Sequence, residues 1–448
     1  MKFIVRTLFL VLCFPVTQIL AQTQLLTHWE SKAPMPAHRS NMATASLEIG
    51  DTTWIFTFMG IDSSKSCGSG IRLEAYKYNT ISDQWYTIAS VPDTEGRLAA
   101  SASGINGKIY LIGGYKVFNN CNEFTSPRVD IYDPLTDTWS QGDSAITKMD
   151  DHVQIVYKDS LIITISGWSQ STNTRRVQIY DTYLNNWTLS NDISGPGLFG
   201  HCGSISGDTI VYLDGVRIAG NFTLINQVWQ GIISNGNPGS INWTNLGIHP
   251  GAKVYRGAGF SYGHRILFTG GTNNAYNING IGYNNQPSVE SGRTWGYNLQ
   301  TGLYEDYTHN PDSVMDVREV VQVGQNKFFV VGGMEANQKV SNKVSVFVID
   351  SVVVAREQAM PMGLTVKINP NPVKDRARVE IETDFSGKCE VSLYDLNGKR
   401  LANLYSGMLQ AGKKSFQFSA DDLDLAAGTY LVRVVLAAQE VTTKLQVL

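Results

Sequence analysis

Arg39, Arg97, His152, His201, Arg256 and Arg318 stand 14 to 21 residues ahead of Gly60, Gly114, Gly167, Gly215, Gly271 and Gly333, respectively. If the segments between are structurally equivalent, the six side chains circle one opening. Four guanidinium groups and two protonatable imidazoles there make a positive focus. Guanidinium grips carboxylate or sulfate with two parallel hydrogen bonds, so the ligand expected at such a ring is acidic. The competing reading is structural, with the arginines paired to neighbouring carboxylates such as Glu95, Asp151, Asp316 and Glu319. A second group lies in the long segment Thr272–Arg293, which holds Tyr276, Tyr283, Glu290 and Arg293. Its rings suit stacking on a sugar, and equally a loop packed on its own side chains. Acid–base chemistry on a sugar needs two groups facing one ring, and His152, His201 and Glu290 are the candidates.

Other chemistry is not signalled. The chain has no His-Glu-x-x-His, no Cys-x-x-Cys and no Gly-x-Ser-x-Gly. Gly195-Pro196-Gly197-Leu198-Phe199-Gly200 matches a dinucleotide fingerprint in letters only, since it carries a proline and leads into a strand pattern. No metal or copper signature stands out, and no cofactor is expected. Cys67 and Cys121 each lie seven residues past a repeat glycine, Gly60 and Gly114, and are expected to form a disulfide between adjacent loops. Cys202 is expected buried and free, and Cys389 without a partner.

The elements that position these residues repeat. Apolar strands such as Ile109-Tyr110-Leu111-Ile112 end in Gly113-Gly114, and the closing glycines recur every 48 to 62 residues. Strand-like units at a period near 50 are the mark of a propeller array. After the glycines come Tyr132-Asp133 with Trp139, Tyr78-Asn79 with Trp85, Tyr180-Asp181 with Trp187, and Tyr297-Asn298 with Tyr304. This order of di-glycine, Tyr-Asp or Tyr-Asn, then Trp resembles the kelch repeat over roughly residues 25–350. The fold expected is all-β, a six-bladed kelch-type β-propeller followed by a small C-terminal β-sandwich. The fourth repeat is degenerate, with Asp214-Gly215 and Trp243 but no Tyr-Asp strand. The last repeat lacks a fourth strand after Val344–Val348, and Leu25–Trp29 is expected to supply it and close the ring.

Residues 1–21 read as a secretory signal, with Lys2 and Arg6 before an apolar run that ends at Ala21. Residues 22–354 form the propeller, 355–363 a linker and 364–448 a separate module. That module carries Asn369-Pro370-Asn371-Pro372, Tyr394-Asp395-Leu396-Asn397-Gly398-Lys399, Ala426-Ala427-Gly428-Thr429-Tyr430 and Lys444-Leu445-Gln446-Val447. The series resembles the type A sorting domain of the type IX secretion system. The resemblance implies an outer-membrane cargo of Bacteroidetes-type bacteria, recognised by the secretion machinery through residues 364–448. It also implies removal of this module after export, with the product released or surface-attached. A formal net charge of −3 gives no general affinity for nucleic acid, and no later stretch is long and apolar enough to span a membrane. The leading expectation is a non-enzymatic binding module for an acidic glycan or a surface protein. The alternative is a carbohydrate-active enzyme, since some exported bacterial kelch proteins that this chain resembles are sialic-acid mutarotases or epimerases. A galactose-oxidase-like reading is weaker, because no copper ligands stand out.

Overall fold

A computed structural model of the chain describes residues 25–350, 364–396, 398–436 and 439–448. The signal segment 1–21 and the linker 355–363 lie outside them. Two compact units result, one within Leu25–Ser351 and one within Val352–Leu448.

In the first unit six sheets of four antiparallel strands follow one another. Blade 1 is Ala43–Ile49, Thr52–Phe58, Ala75–Asn79 and Gln84–Ile88. Blade 2 is Arg97–Ile105, Lys108–Val117, Val129–Asp133 and Thr138–Gly142, with Glu123–Thr125 as an extra short strand. Blade 3 is Val153–Tyr157, Leu161–Ile165, Val177–Asp181 and Asn186–Leu189. Blade 4, from the degenerate repeat, is complete: Cys202–Ser206, Thr209–Leu213, Val228–Ser234 and Asn237–Gly247. Blade 5 is Ala258–Tyr262, Arg265–Thr269, Thr294–Asn298 and Tyr304–Asp306. Blade 6 is Val321–Val323, Lys327–Val331 and Val344–Asp350, with Leu26–Lys32 as its outer strand. Trp29 sits opposite Phe347 in that pairing, with ring centroids 5.2 Å apart. Its indole N–H donates to the Thr308 carbonyl at 2.8 Å, and the side chain is half-buried.

Local chemistry explains the strands. Asn106 and Gly107 both take positive φ, 51° and 74°, as a two-residue hairpin turn of mirror-image type requires. At Gly114, φ is 86° and a Cβ would lie 2.8 Å from the Leu98 carbonyl oxygen, so only glycine fits at that point of the strand.

Blade-to-blade order rests on a repeated staple. The Asp137 carboxylate accepts from the Ala89 N–H at 2.8 Å, and the Trp139 indole donates to the Ala89 carbonyl at 3.0 Å. Ala89 directly follows the outer strand of blade 1. Asp83 and Trp85 hold Ala33 in the same way, and Asn185 and Trp187 hold Asp143. The Tyr78, Tyr132 and Tyr180 hydroxyls complete each staple on Asp83, Asp137 and Asn185.

The axis is closed by a belt of backbone. Asn41, Ala99, Asp151, Gly200, Arg256 and Asp316, one from each repeat near the start of its inner strand, all adopt φ between 49° and 64°. Asn41 N–H bonds Asp316 O, Ala99 bonds Asn41, Asp151 bonds Ala99, Gly200 bonds Asp151, Arg256 bonds Gly200, and Val317 bonds Arg256, at 2.8–3.4 Å. Left-handed backbone costs a non-glycine residue about 1–2 kcal/mol, which the cyclic hydrogen bonding offsets.

The second unit is two sheets. One orders Leu364–Asn369, Arg376–Thr383 and Gly412–Ser419, the other Arg400–Leu409, Gly387–Tyr394, Gly428–Leu436 and Gln439–Val447. Val379, Ile381, Val391, Leu393, Val432 and Val434 form its core. Cys389 is buried there and free.

Candidate functional site

The belt gives a structural register for the six aligned basic residues, and they do not share one position. Arg39 and Arg97 come two residues before their belt residues, Asn41 and Ala99. Arg256 is itself a belt residue, His152 and His201 come one after, and Arg318 comes two after. The distance to the repeat glycine varies with loop length, so equal spacing to the glycine merged four positions.

Each arginine is compensated. Arg39 donates to Glu74 at 3.3 Å and to the His38 carbonyl at 2.8 Å. Arg97 is wholly buried, 2.6 Å from Asp130 and 3.5 Å from Asp93. Arg256 pairs with Asp151 at 2.7 Å and Asp316 at 3.2 Å, its guanidinium over the Tyr255 and Tyr276 rings. Arg318 donates to Asp151 at 2.7 Å and to the His152 carbonyl at 3.0 Å. Burial works against the Asp151 charge, yet Arg256 and Arg318 hold its carboxyl below the usual range. Burial, and next the Arg318 charge, push His152 down to about 4 and His201 down to about 3, so both imidazoles are neutral at pH 7. The positive focus expected from the sequence is therefore corrected. A guanidinium near the axis is too costly to bury without a carboxylate, and the fold supplies one to each. His152, His201 and Arg318 line the axial cavity on one side of the belt.

On the other side of the belt lie the loops that follow the repeat glycines. Ile61, Tyr115, Val216, Tyr276 and Met334, from five different loops, pack into one apolar cap over the axis. Cys67 and Cys121 are joined at this cap, with Cα atoms 5.2 Å apart. Cys202 is buried and free. Of the loop residues singled out from sequence, Tyr276 is buried in the cap and Glu290 is half-buried beside Thr272. Arg293 is tied to Asp306 at 2.9 Å and to the Pro250 carbonyl at 2.7 Å, above the Trp295 ring. Tyr283 is different. It is exposed, and stacks on Phe222 with centroids 4.2 Å apart and planes 23° apart.

Phe222 belongs to a hairpin, Val216–Ala219 with Asn221–Leu224, that grows from the degenerate fourth repeat. It rests on Trp168 and Phe199 and is 37% exposed. Arg217 on the same hairpin is exposed and makes no ion pair or hydrogen bond among the described residues. Glu123, from the loop of blade 2, is exposed at this face, and local desolvation raises its carboxyl pKa. The sequence reading missed Phe222 and Arg217. Their signal was the short alternating run around Gly220, which turns with φ 80°.

Comparison with known proteins places this geometry. A kelch motif model matches residues 96–144, and a secretion system C-terminal sorting domain model matches residues 367–448. The chain is 24% identical over 259 residues to kelch-like protein terF of Aspergillus terreus, covering 56% of this chain and 52% of that protein. It is 26% identical over 190 residues to kelch-like protein 7 of Rattus norvegicus, covering 32% of each. The chain thus spans about half of one relative and a third of the other. A solved structure titled "Structure of YjhT" superposes with a TM-score of 0.57 at 16% identity, over 72% of this chain and 97% of that one. That likeness shows the fold. The sorting domain marks the chain for export to the cell surface or the medium. Among the described residues no helix is long and apolar enough to cross a membrane, which says nothing of β-barrels.

Proposed function

We propose that this exported kelch propeller, delivered by its secretion-system sorting domain, is a binding module whose ligand face is the loop side of the propeller and whose ligand is an acidic glycan. The observation that carries the reading is the exposed, stacked Phe222–Tyr283 pair on a rigid apolar cap. Aromatic faces left open to water suit the apolar faces of sugar rings. Arg217, uncommitted on the same hairpin, can grip a carboxylate or sulfate. The basic ring is not part of this proposal, because its charges are spent internally.

The enzyme alternative draws on one feature, the raised Glu123 carboxyl at the same face. It needs a second titratable group facing the same sugar. His152 and His201 line the cavity on the other side of the belt, and Glu290 makes no hydrogen bond to another candidate. The binding reading therefore stands first. A glycan array probed with the folded chain tests it. Binding enriched in carboxylated or sulfated glycans, and lost in Phe222→Ala, supports it, whereas an array without glycan hits removes it. An anomer-exchange measurement by NMR on each hit decides between binding and turnover.

A further inference from the structure

The axis of the propeller holds a cavity on the side of the belt away from the loops. All six inner strands line this cavity of about 350 Å³ running from the belt toward the hairpin turns, the face opposite the loops. That volume falls within the range of small-ligand sites. We infer that this axial cavity is a separate binding site for a neutral polyhydroxylated ligand of about pyranose size.

Several buried polar atoms at its closed end have no protein partner. His201 is 3% exposed; neither ring nitrogen has a partner at hydrogen-bond geometry, although the Ile165 backbone is close enough to favour its protonated form. His152 is 2% exposed, with Nδ1 unpaired, while its Nε2 meets Gln154 at 3.3 Å. Ser46, Ser204 and Ser261, from three blades, also line the cavity, and their hydroxyls make no hydrogen bond among the described residues. A neutral imidazole offers one N–H and one lone pair, and a hydroxyl offers both roles as well. A ligand rich in hydroxyls satisfies such a set with complementary donors and acceptors.

Charge argues against an acidic ligand at this place. Among the described residues the only cation lining the cavity is Arg318; its two terminal nitrogens are held by Asp151 and the His152 carbonyl, which leaves Nε as its unpaired donor. Glu319, which also lines it, accepts from the Thr44 and Ala102 N–H groups at 3.1 and 3.3 Å. Ordered water is the competing occupant, and the cavity has room for about ten molecules.

The test is NMR on the full chain labelled at histidine, titrated with methyl β-glucoside, methyl β-galactoside and methyl α-mannoside, and with galacturonate as the charged control. The expected result is saturable shifts of the His152 and His201 signals with at least one neutral glycoside. Ser204→Val should weaken that binding about tenfold, the equivalent of one hydrogen bond, and His201→Asn should weaken it similarly. Phe222→Ala should leave it unchanged, which separates this site from the loop face. No saturable shift with any neutral glycoside means water alone fills the cavity and overturns the inference. Tighter binding of galacturonate than of methyl β-galactoside overturns it too. So does undiminished binding in a folded Ser204→Val protein.

Discussion

Arg256 shows how much at the axis is structural. It bonds Asp151 and Asp316, lies over two tyrosine rings, and occupies the left-handed backbone position of the belt. Arg256→Met leaves two buried carboxylates short of a partner. Breaking a buried pair from one side costs about 3–5 kcal/mol, so the melting temperature should fall sharply; an unchanged melt would return this residue to the ligand candidates. Glu319 behaves differently. Burial pushes its carboxyl up to about 7, above its ordinary value of 4.5. The folded state therefore binds its proton more tightly than the unfolded chain does. The stabilisation that follows is complete below pH 4.5 and is lost as pH rises through 7. The melting temperature of Glu319→Gln minus that of the wild type should rise between pH 5 and pH 8, and a flat difference contradicts the shift. The sequence offered Asp151 and Asp316 as structural partners, and they are; which arginine each one serves was not legible. Arg256 and Asp151 are 105 residues apart and Arg318 and Asp151 are 167 apart, so spacing along the chain could name candidate counter-charges but not assign them.

At the scale of elements the sequence was far more readable, because the determinants are local. Gly114 must be glycine for its own φ and for the Leu98 carbonyl beside it, and the Asn106-Gly107 turn selects its conformation within two residues. Tyr132 and Trp139 of the second repeat were legible as motif residues, but Asp137 and the hydrogen bonds to Ala89 were not, since Ala89 carries no side-chain signal. The staple makes a test. The Ala89 N–H, and next the Tyr132 hydroxyl, hold the Asp137 carboxyl below its usual range. A depressed folded value gives stability that is present above the ordinary carboxylate range and lost as pH falls through the folded value. Asp137→Ala should lower stability by about 0.5–1.5 kcal/mol at pH 7, the charge being partly screened by water, with the gap narrowing in acid. A gap that stays constant in acid would deny the charge its role. The outer strand of blade 6 is tested by removing residues 25–32, which uncovers the edge strand Val344–Asp350 and the Phe347 ring. A loss of several kcal/mol is expected from the exposed edge and apolar area, and an unchanged melt contradicts it.

For the whole molecule, the two units carry their own sheets and cores. Deletion of residues 364–448 should leave the propeller with an unaltered melt but no longer displayed or released; normal export of the truncated chain contradicts the sorting role. The ligand face was the least legible part, for a physical reason. Phe222 and Tyr283 are 61 residues apart on loops of different blades, and Phe222 sits where the repeat degenerates. Periodicity reports what the blades share, while a binding face is made of what they do not. The most direct measurement is calorimetric titration of wild type and the Phe222→Ala/Tyr283→Ala double variant with one carboxylated glycan from the array. The account predicts at least a tenfold loss of affinity in the variant, about 1.4 kcal/mol, with an unchanged melting temperature. Equal affinity in a folded double variant would contradict it.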